Sequence, residues 1–298
     1  MLQAITAVEV PLADGITVRR LLPRAARRMV GPWCFLDVFG PLRFESGKPM
    51  DVPPHPHCGL QTVTWLLEGE VLHRDSLDTE ALARPGVLNL MTSGRGIAHS
   101  EETPPANSGR LHGVQLWTAL PDAQREVEPS FEHHPRRPVA RLEGGEATVI
   151  LGELAGVRGA GRTFSPLVGA DLAPAAEARL VVPLDPAFEY ALVPLVGTVR
   201  LDGQPLAVET LYYAGAGRSE LALHAVGEGA RVLLLGGVPF GERILMWWNF
   251  VARTGAEIAA AREDWEAGRR FGEVRRYAGE LLPAPPLVDR PVPPNPAS

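Results

Sequence analysis

Short apolar runs recur along the chain at Thr62–Leu67, Val87–Met91, Gly113–Trp117, Thr148–Leu151, Arg179–Val182, Tyr190–Val193, Thr198–Leu201 and Arg231–Leu235. Each has the length of a strand and is rich in β-branched or aromatic residues, and Gly, Pro or Asp bounds most of them. Two of the runs echo one another. Leu66-Leu67-Glu68-Gly69-Glu70-Val71 has the same apolar–Gly–x–Val form as Leu195-Val196-Gly197-Thr198-Val199. Each predicts an apolar strand, a glycine turn and a second strand, and the repetition predicts two similar β domains in tandem. The expected ranges are 1-135 and 146-282. The polar, turn-rich stretch from Arg136-Arg137-Pro138 to Glu143-Gly144-Gly145 forms the join, with His133-His134 exposed beside it. One helix is signalled near the end of the sequence. Thr254 and Glu257 form a capping box, Gly268 provides the stop, and Ile258, Ala261 and Trp265 share one face that would pack on a sheet. The Pro-rich stretch 283-298 is expected to be extended or loose. The pattern therefore predicts an all-β pair of domains with one docked C-terminal helix.

Composition sharpens this picture. The chain has 298 residues, of which 45% are hydrophobic and 21% charged, enough to bury a sizeable core. No run of about 18 apolar residues predicts a membrane span, and the start of the sequence lacks the pattern of a secretory signal. A cytoplasmic protein is expected. The formal net charge of -6 gives no electrostatic basis for direct nucleic-acid binding. The cluster Arg19, Arg20, Arg24, Arg27 and Arg28 reads first as a solvated face, and second as an anion-steering patch. Lys48 is the only lysine and sits in a Gly-Lys-Pro turn, which disfavours Schiff-base and P-loop chemistry. Cys34 and Cys58 are the only cysteines, too few for a disulfide scaffold or a four-thiolate zinc site.

The strongest candidate chemistry lies in two short polar motifs, His55-Pro56-His57 and His99-Ser100-Glu101. In a strand, residues i and i+2 face the same side, about 6.6 Å apart. If the two strands face one another, three imidazoles and one carboxylate converge. Such a donor set suits a divalent first-row metal and leaves one or two positions open on a five- or six-coordinate ion. A plain turn at His-Pro-His is the competing reading. His73-Arg74-Asp75 repeats the His-x-acid spacing and competes for membership of the site. His112 and Gln115 are candidates for groups that orient the ligands, or are ordinary strand polarity.

His55-Pro56-His57, Val63-Thr64-Trp65-Leu66-Leu67-Glu68-Gly69-Glu70 and His73-Arg74-Asp75-Ser76 together resemble the first metal motif of the pirin family within the cupin superfamily. The segment Thr92-Ser93-Gly94-Arg95-Gly96-Ile97-Ala98-His99-Ser100-Glu101-Glu102 resembles the second. The segments Arg27–Trp33 and Leu111–Trp117 are also similar to pirins. The resemblance implies a bicupin, two tandem antiparallel β-barrel (jelly-roll) domains with the metal in the N-terminal one. It also implies His55, His57, His99 and Glu101 as ligands, removes His73 and Asp75 from the ligand set, and makes Fe(II) the expected metal. Donor chemistry alone admits Fe, Mn, Ni, Cu or Zn. The second barrel has His224 as its histidine and is expected to carry no metal.

The chain departs from the pattern in three places. Gln61 stands where many cupins have a glutamate, which removes one possible proton acceptor. Cys58 stands where relatives commonly have a basic residue. It reads as a buried inert thiol, or as a redox-active one beside the metal. Trp247-Trp248-Asn249-Phe250 also differs, which suggests a region shaped for another ligand. The resemblance implies a metal-dependent dioxygenase cleaving flavonols such as quercetin, with Glu101 as a candidate base. The alternative is a non-enzymatic, iron- or redox-responsive regulator that binds a protein partner. A monomer is expected.

Overall fold

A computed structural model of the chain describes residues 2–13 and 16–287. The described chain is dominated by antiparallel strands and forms two cupin-type domains, with one helix near the C-terminus, as the resemblance implied. No helix among the described residues is long and apolar enough to cross a membrane.

The two compact units are not contiguous in sequence. One contains residues 2–9, 19–38 and 134–240, and the other residues 10–13, 16–18, 39–133 and 241–287. This differs from the continuous ranges 1-135 and 146-282. Two terminal segments account for most of the difference. Gln3–Thr6 pairs antiparallel with Thr210–Gly215, Ile5 opposite Leu211, so the N-terminal strand completes the sheet of the C-terminal domain. Residues 241–287 supply Phe250, Ile258, Trp265, Phe271 and Val274 to one buried cluster with Cys58 and Ala98, so they fold with the N-terminal domain. Strand patterning shows that such segments are apolar, but not which domain their apolar faces will cover. The range 283-298 lies mostly outside the described residues; within it, Ala284 is buried in the same cluster.

In the unit built mainly from residues 134–240, the sheet runs in the order Gln3–Thr6, Thr210–Gly215, Glu189–Leu201, Glu220–Gly237, Leu167–Pro174, Gly145–Leu154, Val139–Leu142. The expected join is not a linker here: Val139–Leu142 pairs with Gly145–Leu154 as a hairpin. The two halves of the internal echo also differ. Gly69 ends one strand, whereas Gly197 sits at a register irregularity inside the continuous strand Glu189–Leu201. Within this unit Arg20 makes a bidentate pair with Asp37 (2.9 and 2.8 Å), Arg19 pairs with Glu209 and Arg27 lies 3.6 Å over the ring of Tyr213. Arg24 donates to Thr6 O at 2.9 Å, so four members of the arginine cluster are engaged in local structure.

The other unit holds a four-stranded sheet in the order Asp51–His57, Ile97–Glu102, Val71–Asp75, Glu80–Ala83. Four strands of the second sheet lie wholly or almost wholly within it, in the order Ser130–His134, Leu88–Thr92, Leu60–Gly69, Arg110–Ala119. The hairpin Leu245–Trp247/Phe250–Ala252 and the helix Gly255–Glu266 complete it. The helix starts where the sequence places it. The Thr254 side chain accepts from Glu257 N while Glu257 accepts from Thr254 N, and Ile258, Ala261 and Trp265 form the buried face. Gly268 lies just beyond the end at φ 66°, a left-handed position that glycine adopts at no steric cost.

Candidate metal centre

The strands Asp51–His57 and Ile97–Glu102 are antiparallel neighbours, with His99 directly opposite His55 and Ile97 opposite His57. Alternation along the first strand puts His55 and His57 on one face, and the register brings His99 to them. The ring centroids are 5.0 Å apart for His55–His57, 4.4 Å for His55–His99 and 4.9 Å for His57–His99. One nitrogen from each ring lies within 4.8 Å of the others, and all three residues are buried. This convergence supports the metal reading of the His-Pro-His motif.

Burial keeps the three rings neutral. It pushes His55 down to about 4 and His57 and His99 well below the usual histidine range, because an imidazolium would lose its hydration. The Nδ1–H groups of His55 and His57 donate to the carbonyls of Pro53 (2.8 Å) and Asn249 (3.2 Å). Their Nε2 atoms therefore carry free lone pairs. His99 Nδ1 lies 3.2 Å from His73 Nδ1, and His99 Nε2 is buried with no protein hydrogen-bond partner. A bare, buried imidazole nitrogen beside two others is costly in a protein interior and is satisfied by a metal ion. The residues present fit one.

Glu101 lies on the same strand but outside the three-nitrogen group. The register slips between His99 and Glu101 because the strand Asp51–His57 carries one extra residue there, while the pairing of His99 and Glu101 with Val71–Asp75 stays regular and keeps the two on one face. Its Oε1 is 3.2 Å from Thr64 Oγ1, which is 3.0 Å from Gln115 Oε1. A hydroxyl carries one proton, so both contacts are satisfied when Gln115 presents its amide NH2 to Thr64 and Thr64 donates to Glu101. Burial raises the Glu101 carboxyl to about 7, against the opposing effect of Thr64. Gln115 thus acts on Glu101 through Thr64.

The other sequence candidates separate. Gln61 is fully buried; its amide donates to Thr92 Oγ1 at 2.9 Å and its carbonyl accepts from Thr118 Oγ1 at 3.3 Å, tying three strands together. His112 is buried opposite Glu68 and is not in the three-nitrogen group. Cys58 is buried beside Phe250, and desolvation pushes its thiol up to about 12, the condition of an inert sulfur. His133 is exposed and donates to Asn89 Oδ1 at 2.8 Å.

The segment Trp247–Phe250 has a structural role that its sequence did not suggest. It forms the turn of a short hairpin whose Asn249 carbonyl receives the His57 Nδ1–H, while Trp247, Trp248 and Phe250 pack with Phe271. Trp248 stands at φ 50°, a left-handed conformation that a bulky residue adopts only when its surroundings hold it there. Gly59, between the ligand strand and the next, approaches this hairpin so closely that a Cβ would lie 2.1 Å from Val251 O. Asn249 in this role leaves no signal in the sequence, because it acts through its backbone.

Fold and site together define an all-β protein of two cupin units with a buried three-histidine centre. Residues 15–118 match the Pirin family and residues 169–272 the Pirin C-terminal cupin domain. The chain is 50% identical over 288 residues to the Pseudomonas aeruginosa protein named "Putative quercetin 2,3-dioxygenase PA1205", covering 96% of this chain and 91% of that one. A crystal structure of quercetin 2,3-dioxygenase from Acinetobacter baumannii superposes with a TM-score of 0.93 at 42% identity, covering 97% of this chain and 96% of that one. The Escherichia coli pirin YhhW, solved in complex with nickel(II), shares the fold with a TM-score of 0.64 at 17% identity, covering 80% of this chain and all of that one. The chain belongs to the pirin family.

Proposed function

We propose that this chain is a metal-dependent dioxygenase that cleaves a flavonol of the quercetin type, with Fe(II) as its working metal. The observation that carries the reading is the convergence of three neutral, buried imidazoles on one point. The similarity to proteins named quercetin 2,3-dioxygenase supports the substrate class. His55, His57 and His99 would hold the ion through Nε2, with the Glu101 carboxylate as the fourth donor. When bound, the ion supplies Lewis acidity to the substrate oxygen and a redox-active centre for dioxygen.

The remaining work falls to the chain. Glu101, released as a donor, would accept the flavonol hydroxyl proton at Oε2 while Thr64 stays on Oε1. Trp117, edge-on to His57 at 5.0 Å, gives the surroundings of the imidazoles an aromatic side chain that suits a flat substrate. The test is oxygen consumption by Fe(II)-loaded protein given quercetin, with His99→Ala as the matched control. Quercetin-dependent uptake that vanishes in His99→Ala supports the proposal. No uptake by protein shown to hold iron refutes the flavonol reading and turns attention to the regulatory alternative.

A further inference from the structure

Each of the three site imidazoles has its Nδ1 engaged, but the three engagements are not equivalent. The carbonyls of Pro53 and Asn249 can only accept, so His55 and His57 must carry their protons on Nδ1 and present bare Nε2 atoms. His99 Nδ1 faces another imidazole nitrogen, His73 Nδ1, at 3.2 Å. Two neutral imidazoles can share that contact in either sense. By itself it does not decide which nitrogen of His99 is bare.

Asp75 decides it. Its Oδ2 lies 3.0 Å from His73 Nε2, and a carboxylate accepts. When His73 is neutral its proton lies on Nε2, its Nδ1 is an acceptor, and His99 Nδ1–H donates to it. His99 Nε2 is left bare, and that is the buried atom without a protein partner. The arrangement is firmly held. Asp75 Oδ1 accepts from Leu77 N (2.9 Å) and Thr79 N (3.1 Å), and the His73 ring stacks on Phe131 with an interplanar angle of 20°. The side chains of His73 and Asp75 are 5% and 0% exposed. The strand register sets Asp75 opposite His99 and His73 opposite Glu101.

We infer that Asp75 and His73 are positioning residues that fix the tautomer of His99 and so keep its Nε2 lone pair available to a metal ion. The inference rests on the metal reading above for its purpose, but the tautomer itself can be read without any metal. Outer partners of ligand histidines act in this way generally, and their loss lowers metal affinity by about 10–100-fold.

The experiment is 15N NMR of the histidine rings in the full-length, metal-free protein, paired with optical titration of Co2+ as the probe ion. In the wild-type chain, His73 should be protonated on Nε2 alone and His99 on Nδ1 alone. In Asp75→Asn the amide oxygen can keep the two turn hydrogen bonds while the NH2 faces His73 Nε2. Both tautomers should then switch, and Co2+ should bind about 10–100-fold more weakly. In His73→Gln the amide oxygen can accept from His99 Nδ1–H, so the His99 tautomer and Co2+ affinity should be those of wild type, and adding Asp75→Asn should change neither. A wild-type His99 protonated on Nε2, or an Asp75→Asn protein with unswitched tautomers, overturns the inference. Should Asp75→Asn fail to fold, the wild-type spectrum alone decides. The expected tautomers in a wild-type chain that binds no Co2+ would support the assignment while overturning the metal reading.

Discussion

Replacing Phe250 by alanine removes the side chain that seats the hairpin behind His57. Phe250 is 1% exposed, stacks on Phe271 (5.5 Å, 16°), and meets Trp248 edge-on (5.5 Å, 85°). Truncating a buried phenylalanine costs about 3–5 kcal/mol in transfer and cavity terms. The aromatic pairs contribute about 0.5–1.5 kcal/mol each within that total. Phe250→Leu refills much of the volume and should cost under about 1.5 kcal/mol. The functional consequence follows from the neighbours. Val251 N donates to Cys58 O at 3.0 Å and Asn249 O accepts the His57 proton, so a hairpin that shifts into the cavity turns His57 out of line. Metal affinity should fall by about 10–100-fold in Phe250→Ala and much less in Phe250→Leu. Urea unfolding of the metal-free proteins measures the first effect and Co2+ titration the second. A stability loss under about 1 kcal/mol would refute the packing argument. Full destabilisation with unchanged Co2+ affinity would refute the claim that this hairpin orients His57.

Three further outcomes are expected. Burial raises Glu101 from 4.5 to about 7, so between those values the folded metal-free protein holds a proton on Glu101 that the unfolded chain has lost, while below the usual histidine range it lacks the protons that the unfolded chain carries on His55, His57 and His99. The three imidazoles outweigh the one carboxyl, so stability should rise with pH up to about 6.5, less steeply than the histidines alone would make it. Over the same window metal affinity should rise with pH as the carboxylate is freed; Glu101→Gln should steepen the rise in stability and flatten the rise in affinity, checked by urea midpoints and by Co2+ titration across pH. The Cys58 thiol, pushed up to about 12, should react with a thiol reagent such as DTNB no faster than the protein unfolds, whereas rapid reaction in native buffer would revive the redox reading. Thr254→Ala removes the hydroxyl that caps Glu257 N and should cost about 0.5–2 kcal/mol in urea unfolding.

The three-histidine half of this picture was legible in the sequence because its signals are local. His-x-His and His-x-Glu on strands point their side chains to one face, and the register that brings His99 to His55 follows once those strands pair. The capping box of Thr254 and Glu257 is equally local, and the helix forms there. What escaped depends on long-range contact or on the backbone. The exchange of terminal segments between the domains rests on which apolar face Ile5 or Phe250 covers, and periodicity is silent on that. Asn249 serves His57 through its carbonyl, which any residue could supply. The slip of register opposite Glu101, one extra residue on the strand Asp51–His57, is invisible in the spacing. His73 and Asp75 were visible as a competing pair. Their place behind His99 emerges only when the strand Val71–Asp75 lies on the far side of the ligand strand.

Whether His55, His57 and His99 hold a metal ion is read by metal analysis after equilibrium dialysis against Fe(II) under anaerobic conditions, with the wild-type chain compared to His99→Ala at matched folding by circular dichroism. One iron per wild-type chain and none retained by the variant is the expected result. Equal iron in both proteins, or none in the wild type, would overturn the three-histidine metal site.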